Sequence, residues 1–278
     1  QNCQSFLHRA FHCVPHAGQV TSAEAANNPG GRMTDTRITL LLTRPLEQAT
    51  AFAQRFRNSG LKTCISPLLE IIFCPYLPDI TPYRSLIFTS TNGVRAFAPL
   101  ARGCNLPSFT VGQMTADRAL AAGLSAEMLG LDVAELTTSL QDKAPETPCL
   151  HLCGAITKGN LAADLTRSGI PTDAAIVYHQ RPLPLSPAAQ DLLRGRGPII
   201  VPLFSPRSAH YFGKKLAQIG NIAPIYPVAL STAVAAELPS ETLSGLDLAT
   251  EPTALAMETA VNLMHARLMH LEQSGSTA

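Results

Sequence analysis

From Ile38 onward the chain alternates short apolar runs with stretches whose apolar residues recur at helical spacing. The pattern predicts a strand over 38–42, a helix over 46–59 closed by Gly60, and a second strand over 61–66. Strands then follow at 85–89, 109–111, 126–129 and 150–153, with helices at 93–101, 116–122, 133–142 and 159–168. A strand at 174–179 leads to helices at 186–194, 207–219, 233–238 and 253–271, separated by strands at 199–203, 227–230 and 246–249. Strictly alternating strands and helices imply parallel sheets joined by right-handed crossovers.

Internal similarity divides these strands into two units. Phe88-Thr89-Ser90-Thr91-Asn92-Gly93-Val94 leads to Phe97, and Phe204-Ser205-Pro206-Arg207-Ser208-Ala209 leads to Phe212, at an offset of about 115 residues. Val111-Gly112-Gln113-Met114-Thr115-Ala116 matches Val228-Ala229-Leu230-Ser231-Thr232-Ala233 at nearly that offset, and Arg57-Asn58-Ser59-Gly60 matches Arg167-Ser168-Gly169. Taken as three matches in the same order, they give two similar lobes facing a shared cleft. Two further strand-like stretches, 67–72 and 174–180, are each followed by a Pro-containing bend. They are expected to link the lobes, so that 33–66 plus 181–272 form the first lobe and 73–173 an inserted second one.

Composition fits this picture. A chain of 278 residues suits two domains. Aromatics make up only 5% and Trp is absent, so Leu, Ile, Val and Ala must fill the cores. The net charge of +1 argues against a nucleic-acid binder. No apolar run approaches the roughly eighteen residues of a membrane span. A soluble cytoplasmic monomer is expected. The seven Cys are scattered, and Cys64, Cys74, Cys104, Cys149 and Cys153, in or beside apolar runs, read as buried free thiols. Cys149, His151 and Cys153 share one face of a strand but lack the further ligands a metal needs. The first 32 residues, with His8, His12 and His16, are read as an upstream extension, a transit peptide or a disordered tail ahead of Met33. The last six, 273–278, are read as a disordered tail.

Hydroxyl-bearing turns follow several strands. Ser90, Thr91 and Asn92 follow one, Ser205 and Ser208 another, and Thr115, Ser231 and Thr232 sit in two more. A Ser or Thr there is first of all a helix N-cap. The same place offers free N–H groups at the positive end of a helix dipole, which hold anions. Ligands of open α/β sheets gather at these strand ends. Arg44, Lys158 and Arg207, with Arg95 and Arg181, fall near strand ends or the linker and would together attract carboxylates. Tyr178 ends the returning linker strand. It is either a packing residue with a wet hydroxyl or a proton donor reaching into the cleft, since a phenol keeps its proton at neutral pH. Leu42-Thr43-Arg44-Pro45 stands where a dinucleotide fold has its glycines, and no Walker A, G-x-S-x-G or H-E-x-x-H pattern occurs. Nucleotide, metal and nucleophilic mechanisms are therefore not expected.

Over about 38–268 these pieces together resemble the uroporphyrinogen-III synthase family. The resemblance is carried by Leu42-Thr43-Arg44-Pro45, Pro67-Leu68-Leu69-Glu70-Ile71, the Phe88–Val94 and Phe204–Ala209 turns, Val111-Gly112, Tyr178 before Gln180-Arg181, and Pro252-Thr253. It implies two Rossmann-like, flavodoxin-like lobes joined by a two-stranded β-ladder. It implies a hydro-lyase, without cofactor or metal, that cyclises hydroxymethylbilane to uroporphyrinogen III with inversion of ring D and loss of water. It places the family's important Tyr on Tyr178 and its loop hydroxyls on Ser90, Thr115, Ser205 and Thr232. Many members have Gly or Ser followed by Pro in the last of these loops, where this chain has Leu230-Ser231-Thr232. A transient contact with the preceding pathway enzyme stays open. So does a non-catalytic tetrapyrrole-binding or sensor module of the same fold.

Overall fold

A computed structural model describes residues 37–99, 102–220 and 223–275, all within one unit, Thr34–Ala278. The expectations for residues 1–32 and for 276–278 lie outside the described residues. In chain order the strands are β1 Thr39–Leu42, β2 Lys62–Ile65, β3 Leu69–Phe73, β4 Ser85–Phe88, β5 Ser108–Val111 and β6 Ala126–Gly130. Then come β7 Cys149–Gly154, β8 Thr172–Pro182, β9 Ile199–Leu203, β10 Ile225–Ala229 and β11 Asp247–Leu248. The helices are α1 Leu46–Ala53, α2 Thr91–Phe97, α3 Gln113–Ala121, α4 Val133–Lys143 and α5 Leu161–Arg167. They continue with α6 Pro187–Leu193, α7 Pro206–Ile219, α8 Thr232–Ala235 and α9 Ala254–Gly275.

The first sheet has the order β11-β10-β9-β1-β2, all parallel. Successive side chains leave a strand on opposite faces, and the core divides accordingly. Leu41, Val201 and Leu203 pack with Ala189, Phe212 and Leu216 of α6 and α7. Leu40, Leu42 and Ile200 pack with Phe52 of α1 and Met257, Val261 and Met264 of α9. Strands apolar on both faces are what a covered parallel sheet requires.

The second sheet has the order β3-β8-β7-β4-β5-β6 and is parallel except for the β3–β8 pair. Leu86, Phe88, Leu150 and Leu152 face α2 and α3, while Ile87, Phe109 and Cys149 face α4 and α5.

The three sequence matches have a structural meaning that differs from the expected one. Ser90 caps α2 by accepting from the Gly93 N–H, and Ser205 caps α7 by accepting from the Ser208 N–H. Phe97 and Phe212 are both fully buried. Complete burial of a Phe stabilises by roughly 2–3 kcal/mol, against about 1 kcal/mol for a cap, so the Phe seats the helix and the Ser sets its start. The match of Arg57-Asn58-Ser59-Gly60 to Arg167-Ser168-Gly169, however, equates β1-α1-β2 with β7-α5-β8. Those segments open one sheet and close the other. The two sheets thus share one spatial order, β2-β1-β9-β10-β11 against β8-β7-β4-β5-β6, with different entry points. The repeat is circularly permuted: the three matches keep their order along the chain, but each sheet takes its own three members in a different order.

The linker stretches pair antiparallel, β3 with the second half of β8, and differ from expectation in their extent. Residues 174–180 do not form a strand apart from the second sheet. They lie inside β8, whose first half pairs with β7 and whose second half pairs antiparallel with β3. One uninterrupted strand serves both because the partner changes sides at Tyr178, where the β7–β8 register shifts past Val177. The helix expected over 46–59 ends early, at Ala53, and tightens into a 3₁₀ turn, Gln54–Phe56. The last helix runs on to Gly275, into the stretch read as a disordered tail.

Candidate functional site

Tyr178 stands where β8 leaves β7 and takes up β3, opposite Gly154 on one side and Phe73 on the other. A bulge of this kind re-aims a side chain. The Tyr178 ring lies against Gly154, where an added Cβ would come within 2.6 Å of Cζ; only Gly leaves room for it. The ring is 7% exposed, and its hydroxyl is 3.1 Å from Ser90 Oγ. Ser90 Oγ already accepts from the Gly93 N–H at 3.3 Å. When Ser90 donates its own proton to Tyr178, the phenol proton is left free for another acceptor.

Other residues of the second sheet are more closely committed to the fold. Asn92 is buried and accepts from Arg95 Nη1 at 3.3 Å. Thr115 is buried inside α3, whose N-cap is Gly112 with a positive φ of 73°. Thr91 is the first residue of α2 and is half-buried. Lys158 is exposed in the loop after β7.

In the first sheet Arg44 follows β1. Its guanidinium lies 3.8 Å from the Phe204 ring centroid, and burial lowers its pKa to about 10, so it stays charged at neutral pH. The neighbouring Thr43 hydroxyl is buried without a hydrogen-bond partner. Ser205 and Ser208 share a hydroxyl–hydroxyl bond of 2.9 Å, so both belong to the α7 cap. Ser231 precedes α8 but makes no side-chain cap bond, and Thr232 beside it is exposed. Arg181 is held by Glu70 across the ladder, its Nε donating at 2.9 Å.

Lys158 and Arg207 border the same opening. They line a cleft of about 480 Å³ together with Ile156 and Thr157 from the β7–α5 loop and His210, Tyr211 and Glu237 from the α7–α8 side. Residues of both sheets therefore share one opening. Tyr178 does not line this cleft, but the strand that carries it is tied to both sides of it. The Tyr178 carbonyl accepts from the Ala155 N–H at 2.9 Å, which starts the Lys158 loop. Two residues on, Gln180 Oε1 accepts from Arg207 Nη1 at 2.6 Å. Glu237 faces His210 Nδ1 at 3.2 Å on the opposite rim.

Cys149, His151 and Cys153 are buried on β7 as the alternation implies, and burial raises both thiols. No metal-binding cluster occurs among the described residues. His151 instead places Nε2 3.1 Å from Thr89 Oγ1, and burial lowers its pKa from 6.5 to about 4. The folded state therefore resists a proton that the unfolded chain accepts. This contribution to stability is complete above pH 6.5 and is lost as pH falls toward 4, by roughly 3 kcal/mol at most. In chemical denaturation between pH 7 and pH 4, His151→Gln is expected to lose less stability than the wild type; equal losses would remove His151 from the account.

The sequence reading missed Gly154, whose role appears only when the Tyr178 ring is set against it. It also missed Glu47 and Arg118. Glu47 of α1 forms ion pairs with Arg95 of α2 and Arg118 of α3. Nothing in the local pattern of these three residues announces a contact between elements so far apart in the chain.

The family model described as uroporphyrinogen-III synthase HemD matches residues 50–257. A uroporphyrinogen-III synthase of Chlorobaculum parvum is 38% identical over 61 residues, which span 21% of this chain and 25% of that protein. Among solved structures, the uroporphyrinogen-III synthetase of Helicobacter pylori is similar with a TM-score of 0.59 at 19% identity, over 81% of this chain and 99% of that one. A mutant uroporphyrinogen III synthase of Thermus thermophilus has a TM-score of 0.52 at 14% identity, over 84% of this chain and 99% of that one. These structural likenesses bear on the α/β fold. No described helix is long and apolar enough to cross a membrane.

Proposed function

We propose that this chain, which belongs to the uroporphyrinogen-III synthase family, closes linear hydroxymethylbilane into uroporphyrinogen III, inverting ring D and releasing water. The observation that carries the proposal is the family match over residues 50–257. The cleft supports it, because Lys158 and Arg207 approach one opening from different sheets and suit a substrate rich in carboxylates.

The substrate is flexible and closes unaided without inverting ring D. The enzyme has mainly to select one folded geometry, and orientation of this kind can supply up to roughly 7–11 kcal/mol. In our reading Lys158 and Arg207 hold carboxylates at the rim, and main-chain N–H groups at the starts of α3 and α7 hold others. Arg44, stacked on Phe204, keeps a fixed positive charge behind the first sheet's strand ends. The hydroxyls of Ser231 and Thr232 remain available for substrate in the loop where the family pattern is altered. The Ser90, Asn92, Thr115, Ser205 and Ser208 side chains shape the helix starts more than they bind.

One proton must reach the hydroxyl that leaves the terminal pyrrole. Tyr178 is our acid: its phenol proton passes to the departing hydroxyl, the carbon–oxygen bond breaks, and water leaves. Elimination of water makes the reaction a lyase. The β3–β8 ladder would serve as the hinge on which the two sheets close over the substrate.

The rim cations supply the test. Lys158→Gln and Arg207→Gln are each expected to raise KM about tenfold, near 1.4 kcal/mol, with kcat little changed, since they bind ground and transition states alike. An unchanged KM in both variants would place the substrate elsewhere.

A further inference from the structure

A second cation pair lies away from that cleft, on the α2 and α3 side of the second sheet. Arg95 and Arg118 line a cavity of about 400 Å³ whose other walls are mostly apolar, including Phe73, Val94, Pro99 and Ala121. Such a volume is at the small end of ligand pockets and suits one substituted ring better than a whole tetrapyrrole. Arg95 is held in place. Its Nη1 bonds Asn92, its guanidinium sits 5.2 Å from the Phe73 ring centroid, and its side chain is 19% exposed. A fixed guanidinium at the edge of an apolar cavity is an incomplete site for a carboxylate.

A carboxylate already stands there. Glu47, in the first turn of α1 on the other sheet, pairs with Arg95 and reaches to 3.9 Å from Arg118. The Glu47 side chain is 60% exposed, and an ion pair with so exposed a partner contributes at most about 1 kcal/mol. That is enough to orient Glu47 but too little to keep out a ligand that also fills the apolar walls. With two cations and one anion, the site retains one uncompensated positive charge.

We propose that Phe73, Arg95 and Arg118 form a subsite for one carboxylate-bearing pyrrole ring, and that Glu47 occupies it until such a ring displaces it. The choice of ring rests on the function proposed above. Displacement severs the ion pairs joining α1 to α2 and α3, so filling the subsite loosens one contact between the two sheets.

Porphobilinogen, a single pyrrole carrying two carboxylates, is the probe, titrated into the full chain and followed by NMR at Val94, Ala98 and Ala121. The wild type is expected to show shifts at these residues. Glu47→Gln should tighten binding about fivefold, the equivalent of the lost competition. Arg118→Gln should weaken it and Arg95→Gln abolish it. Glu47 and Arg118 are surface residues, so their variants keep the test readable if Arg95→Gln does not fold. Absence of shifts in Glu47→Gln, or weaker binding than in the wild type, overturns the subsite. Assaying the same preparations for type III product separates the two proposals. Type III formed without these shifts overturns the subsite alone, and binding at Arg95 without type III overturns the enzymatic reading alone.

Discussion

Replacing Tyr178 with Phe is expected to lower the rate of type III product formation by about 10²-fold, the scale of a lost general acid, while leaving the fold in place. The ring would stay against Gly154 and keep its place in the core around α2. Only the hydroxyl at Ser90 is removed, and Ser90 still accepts from Gly93 to cap α2. The stability cost should therefore be that of one hydrogen bond, about 1 kcal/mol. Single-turnover kinetics with separation of isomers reads the first effect and chemical denaturation the second. A type III rate equal to wild type would remove Tyr178 as the acid. A loss of rate matched by general unfolding would make it a packing residue.

Gly93→Ala is expected to destabilise the fold by about 3 kcal/mol or more. Ala is the better helix former by about 1 kcal/mol, so on propensity alone the variant should gain. Geometry reverses the sign. A Cβ at residue 93 would stand 2.6 Å from the Leu152 carbonyl oxygen and 3.4 Å from Phe88 Cδ1. The first neighbour is backbone of β7, a buried central strand, and cannot step aside without moving the sheet. The helix must lift instead, and with it Ser90, the partner of Tyr178. Urea denaturation is expected to show a lower midpoint with the slope preserved. A midpoint at or above that of the wild type would show that α2 is not pressed onto β7.

The central strands and most helices were legible because their burial is periodic. Leu40 and Leu42 face one layer and Leu41 the other, and a pattern of two layers leaves few alternatives to a covered parallel sheet. The paired Ser-and-Phe turns were legible for the same reason, since each combines a cap with a buried ring at fixed spacing. The permutation was not. Local motifs carry no record of which strand lies beside which, so the Arg57 and Arg167 segments looked like members of one linear series. The fusion of the linker strands into the second sheet was hidden in the same way, because the exchange of partners at Tyr178 depends on β7 and β3 arriving from opposite sides.

The candidate site was legible by residue type more than by arrangement. Lys158 and Arg207 were expected near strand ends and do share a cleft. Ser208 and Asn92 were expected to offer polar groups to a ligand, yet their bonds turn inward to Ser205 and Arg95. Both outcomes were open at the level of sequence, because a hydroxyl or amide at a helix start serves a cap and a ligand equally well. Glu47, Arg95 and Arg118 come together only through tertiary packing.

The most direct measurement is the coupled assay. Porphobilinogen is converted to hydroxymethylbilane by the enzyme that precedes this step, with and without the present chain, and type I and type III products are then separated. The account predicts that adding the chain makes type III the main product at a rate above spontaneous closure. Type I alone, in the same amount as without the chain, would contradict it and leave a tetrapyrrole-binding module of this fold.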